Sequence, residues 1–254
     1  MIADVLKFGL LAAGSAWVMI RATENLGYHW QWYRIGGYLF TLADGELLAG
    51  PLLQGLFVTF QITAVSLVLM IVFGLSVALM RLSDSPVARL TARTYLELIR
   101  NTPLLVQLFF IYFVLSPVFE ISAFASAVWA LTLFEGAYAS EIFRAGILSI
   151  HRNQWEAAYS LGLGAWRTYR LIILPQAVRR ILPPLTSQAV SLVKDSALVS
   201  TIAIYDLTMQ AQAIVSETYL VFEVWFTVAA VYLAVTLSLS AAVALMEKRL
   251  RVNA

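Results

Sequence analysis

Long apolar runs separated by short polar stretches dominate the chain. Residues 5–20, 57–80, 96–115, 122–139, 185–204 and 221–246 are each mostly apolar, over close to the roughly 20 residues a helix needs to cross about 30 Å of hydrocarbon. In lipid only a helix satisfies its own backbone hydrogen bonds within one segment. The pattern therefore predicts an all-α integral membrane protein with about six transmembrane helices. The first run has only Lys7 as a positive flank and no A-x-A-like site after it, so it reads as a retained helix rather than a signal peptide. The third begins amphipathic and carries Pro103, where a kink is expected.

Composition agrees with this solvent. The 254 residues are 61% hydrophobic and 13% charged, against about 25% charged for a soluble domain. That balance excludes a disordered chain and a nucleic-acid binder, which need low hydrophobicity or a concentrated basic field. There is no cysteine, and His29 and His151 are the only imidazoles, so no metal centre is expected. No Ser/His/Asp or Cys/His arrangement suggests catalysis, and no catalytic residue is assigned.

The net charge of +2 says little until its distribution is seen. Arg81, Arg89 and Arg93 lie between the second and third runs. Arg144, Arg152, Arg167, Arg170, Arg179 and Arg180 lie between the fourth and fifth, and Lys248, Arg249 and Arg251 in the tail. The opposite connections, 116–121 and 206–220, have no Lys or Arg and are acidic. Cytoplasmic loops retain the excess of positive charge, so both termini are expected in the cytoplasm. The first outer loop holds Tyr28, His29, Trp30, Trp32, Tyr33, Tyr38 and Phe40, which fits an interfacial aromatic belt or a seat for an external protein.

One cytoplasmic connection, between the fourth and fifth runs, is about 40 residues long, where helix bundles usually use two to eight. It reads as a helix containing Glu156, Ala157 and Ala158, a stop at Gly162, then a second amphipathic segment interrupted by Pro175. Small alanines permit close approach to a partner. Cationic flanks with interfacial tryptophans equally suit a helix lying on lipid headgroups.

The run Glu156, Ala157, Ala158, three residues, Gly162, nine residues, Ile172, one residue, Leu174, Pro175 resembles the EAA signature of the integral membrane subunits of ABC importers. The resemblance covers about residues 52–247. Within it, Arg100 to Leu105, the run 134–146 and Lys194 to Leu198 are similar to the polar amino acid permeases, which serve His, Gln, Glu, Arg and opines.

It implies a five-span type I importer core over residues 51–254, with a coupling helix at about 150–175. Residues 1–50 add an extra N-terminal helix and the aromatic loop. It also implies a permease in a bacterial inner membrane, paired with a second identical or homologous permease. Two ATP-binding subunits would hold ATP and Mg, and an external solute-binding protein would deliver a polar amino acid. The chain itself would bind no cofactor. Glu156, Ala157, Ala158, Leu161, Gly162 and Pro175 are the coupling candidates.

Charges inside apolar runs are the remaining signal, because each costs roughly 2.5–3.5 kcal/mol at mid-bilayer on insertion scales. Glu135, Glu141 and Arg144 sit around the end of the fourth run and Lys194 and Asp195 in the fifth. Gln188, Ser191 and Asp195 recur on one helical face. With Gln107 they form a candidate substrate path, in which Asp195 meets an ammonium and Lys194 a carboxylate. Alternatively Glu141 and Arg144 simply neutralise each other three residues apart, and Lys194 and Asp195 pair with neighbouring helices. A permease of the same architecture for another solute, and an ion-gradient-driven carrier, are the competing functions. The second lacks the two similar halves such carriers show.

Overall fold

The computed structural model describes residues 28–43 and 45–251, with positions 7, 9–11, 13–15, 17, 18 and 21. The boundaries of the expected first span lie outside the described residues. Its described positions are helical.

A short helix α1 (Ile35–Leu39) leads into a hairpin, β1 (Phe40–Ala43) and β2 (Glu46–Ala49), pairing Phe40 with Ala49. This hairpin is the one departure from all-helical structure among the described residues. The aromatic loop before it is tied down by a single carboxylate. Glu223, fully buried, accepts from the Tyr28 hydroxyl and from the Gln31 amide at 2.6 Å. Trp30 and Trp32 stack with centroids 5.8 Å apart, against Phe226.

Helix α2 (Pro51–Leu82) starts with proline at its first position, where no backbone donor is lost. It is apolar all round, with the exposed face carrying Phe57, Val68 and Val72, each at least 60% accessible. A helix of that kind is solvated by lipid. Its other face mixes small residues (Gly55, Thr59, Thr63, Ser66, Gly74, Ala78) with Leu52, Ile62, Met70 and Val77, and it runs against α5 (Ala123–Leu148). At Gly74 a Cβ would lie 2.9 Å from the Ala139 Cβ and 3.0 Å from the Gly136 carbonyl. The two backbones meet there because neither carries a side chain that would hold them apart. Helix α5 begins on the Ser122 hydroxyl, which accepts from the Ala125 amide. It buries Ser126, Thr132, Glu135 and Ser140 among its neighbours.

The expected third span is not one helix. Helix α3 (Pro86–Arg100) and helix α4 (Leu104–Phe119) meet at 105°. Pro103, itself extended with ψ 141, cannot continue α3. Side chains take over the freed carbonyls. The Asn101 amide donates to Glu97 at 2.7 Å, the Thr102 hydroxyl to Leu98 at 2.9 Å, and the Gln107 amide to Ile99 at 2.8 Å. Residues 110–115 within α4 form a π-turn.

The expected long connection is also shorter than its sequence suggests. Helix α6 (Arg152–Ser160) is followed by α7 (Ala165–Ile202), which begins well before Leu185 and runs through Pro175. A π-turn at Tyr169–Ile173 lies directly before Pro175 and widens the helix where the proline has no amide to donate. The interruption expected at Pro175 is therefore a bulge in a continuous helix.

Helix α8 (Leu207–Thr218) is capped by Asp206, whose Oδ1 accepts from the Met209 amide at 2.8 Å, and it bends 48° from α7. Helix α9 (Val221–Arg251) completes the bundle. Among the described residues, α2 and residues Val221–Met246 are long and apolar enough to cross a membrane, and counting each bent pair as one span gives up to four. Helix α5, 26 residues or about 39 Å long, is long enough but less apolar because protein rather than solvent covers it.

Candidate functional site

Two separate groups of side chains carry the candidate chemistry. The first is α6 and the turn after it. Trp155 packs on Tyr169 at 6.4 Å, Gln176 donates to Gln154 at 3.2 Å, and Ala158 is 3% exposed, so one face of α6 is fixed to the start of α7. The other face is open. Glu156 is exposed and pairs with Arg152 at 2.9 Å. Ala157 is exposed beside it, and Leu161 stands 80% accessible at the end.

The helix stops by a paired set of backbone bonds. The Gly162 amide donates to Tyr159 at 2.9 Å and the Leu163 amide to Ala158 at 3.1 Å, the geometry that ends a helix on a left-handed residue. Gly162 has φ +74, and a Cβ there would meet nothing within 4 Å. Backbone conformation, not space, asks for glycine.

The six coupling candidates thus divide. Glu156, Ala157 and Leu161 point outward and Gly162 makes the turn. Ala158 is buried in its own chain, and Pro175 belongs to α7. Ala158 cannot form part of an outer contact face, because the Trp155 side of the helix is already covered.

The second group lies within the bundle. Glu135 is fully buried and accepts from the Gln188 amide across from α5 to α7, with Asp195 and Lys194 near enough to act on its carboxylate. Its Oε1 is buried without a hydrogen-bond partner. Ser191 and Lys194 line a cavity of about 430 Å³ against Ser240, Val243 and Ala244 of α9. Glu135, Gln188, Asp195 and Lys194 are therefore gathered where α7 meets α5, while Ser191, with Lys194, faces the cavity toward α9.

Three other path candidates are not in that group. Gln107 caps the end of α3, with bonds to Ile99 and Thr102. Glu141 is held by Arg144 at 3.1 Å, by Arg100 at 3.4 Å and by Arg81. The i, i+3 neutralisation read from sequence is thus part of a larger knot joining α2, α3 and α5.

Sequence reasoning missed the lining beside that knot. Arg93, Glu97, Arg100, Asn101 and Tyr138 surround a polar cavity of about 320 Å³ with Arg81 and Glu141, and the Arg100 guanidinium lies 5.6 Å from the Tyr138 ring centre. The signal was present. Arg93, Glu97 and Arg100 fall at i, i+4 and i+7, one face of a helix, but sidedness alone accounts for Arg93 in the sequence reading, and the family resemblance draws on Arg100.

Residues 70–252 match the family described as binding-protein-dependent transport system inner membrane component. The glutamine transport system permease protein GlnP of Escherichia coli (strain K12) is 38% identical over 204 residues, covering 79% of this chain and 93% of its own. The L-cystine transport system permease protein TcyB of Bacillus subtilis (strain 168) is 43% identical over 167 residues, or 65% of this chain and 71% of its own. Among solved structures, a chain from the crystal structure of an amino acid ABC transporter with histidines is 41% identical, with a TM-score of 0.73, covering 78% of this chain and 94% of that one.

Proposed function

The chain belongs to the family of binding-protein-dependent transport system inner membrane components, and from that membership we propose that it is the permease subunit of an ATP-driven importer of a polar amino acid. The observation that carries the mechanism is the geometry of α6. It is fixed to α7 on one face, while Glu156, Ala157 and Leu161 project from the other and Gly162 sets the exit angle.

Two ATP-binding subunits, carrying ATP and Mg, dock on that outer face from the cytoplasm. Six spans place both termini on the same side, as the arginine distribution requires. A second permease, identical or homologous, completes the membrane pair in a bacterial inner membrane, and an external binding protein supplies the solute. The relatives named for glutamine and L-cystine support a polar amino acid.

Closure of the ATP-binding pair moves α6 as a rigid body. Because α6 is bonded to α7, the displacement passes into the bundle. Driving an inward–outward equilibrium from 1:99 to 99:1 takes about 5.5 kcal/mol of differential binding, which nucleotide binding to the partners supplies. Glu135, Gln188, Ser191, Lys194 and Asp195 form the path, where opposite charges receive the two ends of a zwitterion.

Uptake of labelled L-glutamine, L-cystine and L-histidine into proteoliposomes holding the assembled complex tests the reading. Uptake of at least one is expected to require ATP and the external protein and to stop with vanadate. Vanadate-insensitive uptake that follows an ion gradient would contradict it.

A further inference from the structure

Helix α3 turns back into the bundle instead of lying along its end. Its Tyr95 ring meets Phe73 of α2 at 5.3 Å, and the Tyr95 hydroxyl donates to the Leu133 carbonyl at 2.5 Å. Phe73 stands about 13 Å along α2 from the end of that helix at Leu82, counting 1.5 Å per residue. Arg93, Glu97 and Arg100, one face of α3, line a cavity there together with Arg81, which lies one residue from the end of α2. Arg93, Glu97 and Arg100 are all exposed on the single chain, so their charges face water or a partner rather than lipid.

The cavity they line, about 320 Å³, holds three arginines and two glutamates. One carboxylate is already committed, since Glu141 is clasped by Arg81, Arg100 and Arg144. Arg93 and Glu97 are not. They are one helical turn apart and form no ion pair with each other or with any other charged group among the described residues, and the one side-chain hydrogen bond to Glu97 comes from Asn101 at 3.1 Å. A cation and an anion held side by side but unpaired, in a polar space the size of a small metabolite, are complementary to a ligand carrying both charges.

The geometry points to this cavity as a binding site for the head group of an α-amino acid, with the carboxylate on Arg93 and the ammonium on Glu97, and Tyr138 and Arg100 closing the side. It forms a second station on the route, separate from the Glu135–Asp195 group. This assignment rests on the amino-acid importer reading.

The test is equilibrium binding to the assembled permease–ATPase complex in detergent, without the external protein. Labelled L-glutamine, L-cystine and L-histidine are the probes, each compared with its α-methyl ester and its N-acetyl derivative. Arg93→Gln is expected to weaken the free amino acid about tenfold, the usual scale for one charge-assisted hydrogen bond, and to leave the methyl ester bound as before. Glu97→Gln is expected to weaken the free amino acid similarly and to leave the N-acetyl form unchanged. Loss of the group on the ligand and of its partner on the protein then count once, not twice. Arg93→Lys is expected to retain most of the affinity.

Unchanged binding of the free amino acid in both variants overturns the assignment. So does an equal loss for masked and unmasked ligands, which marks a structural role. If the parent complex takes up none of the three probes with ATP and its external protein, the importer reading falls and the inference with it. Intact uptake beside unchanged binding in the variants removes the cavity assignment alone.

Discussion

Glu135 and Asp195 come from different helices and meet beside Gln188 and Lys194, so the charge of Asp195 is not a local accident of α7. A buried carboxylate without a full set of partners costs free energy, and the Glu135 Oε1 has no hydrogen-bond partner. An ammonium group arriving from a substrate would relieve that cost, and this is the physical basis for proposing the pair as part of the path. Asp195→Asn keeps the shape and removes the charge. It is expected to lower substrate-stimulated ATP hydrolysis and uptake by about tenfold, on the scale of one hydrogen bond to a charged group, in complexes of normal assembly. Unchanged rates would take Asp195 off the path. The clasp on Glu141 shows what a sequence does and does not disclose at this scale. Its i, i+3 partner Arg144 is readable. Arg81 and Arg100 reach it from 60 and 41 residues away, and no local pattern announces contacts of that range.

Helices that pack in lipid gain little from hydrophobic exclusion and depend on close backbone approach. The contact of α2 with α5 at Gly74, Gly136 and Ala139 is the clearest case. Gly74→Val places branched carbons against the Gly136 carbonyl and is expected to destabilise the bundle by about 1–3 kcal/mol, the usual cost of overpacking. A thermal-shift comparison of the purified permease before and after substitution reads it, and an unchanged midpoint would contradict the close contact. Helix positions were largely legible at this scale, since residues 57–80 and 221–246 lie inside α2 and α9. Breaks were harder. Pro103 and Pro175 look alike in sequence, yet one turns the chain through 105° and the other sits in a continuous helix behind a π-turn. Whether the freed carbonyls find side chains, as with Asn101, Thr102 and Gln107, or find a wider turn, depends on the packing around each proline.

Across the whole molecule the path candidates and α6 are joined by α7. The Gln154–Gln176 bond and the Trp155–Tyr169 contact fasten α6 to one end of α7, while Gln188 and Asp195 lie further along the same helix. In the proposed mechanism, movement of α6 thus reaches the path without a separate relay. The signature residues marked a helix and its stop, and the spacing of Glu156 and Gly162 survives intact as both. The inward burial of Ala158 was not legible, because helical period alone does not say which face a neighbour covers. The most direct test of this account is ATP-driven uptake by complexes carrying Gly162→Asp, measured per amount of permease inserted in the membrane. Nothing within 4 Å obstructs a side chain there, so insertion is expected to be normal, while the left-handed φ of +74 resists a side chain by about 1–3 kcal/mol and shifts the exit of α6. Uptake is expected to fall to a tenth or less, on the rule of about 1.4 kcal/mol per tenfold. Uptake equal to that of the parent complex, at equal insertion, would contradict the role assigned to α6.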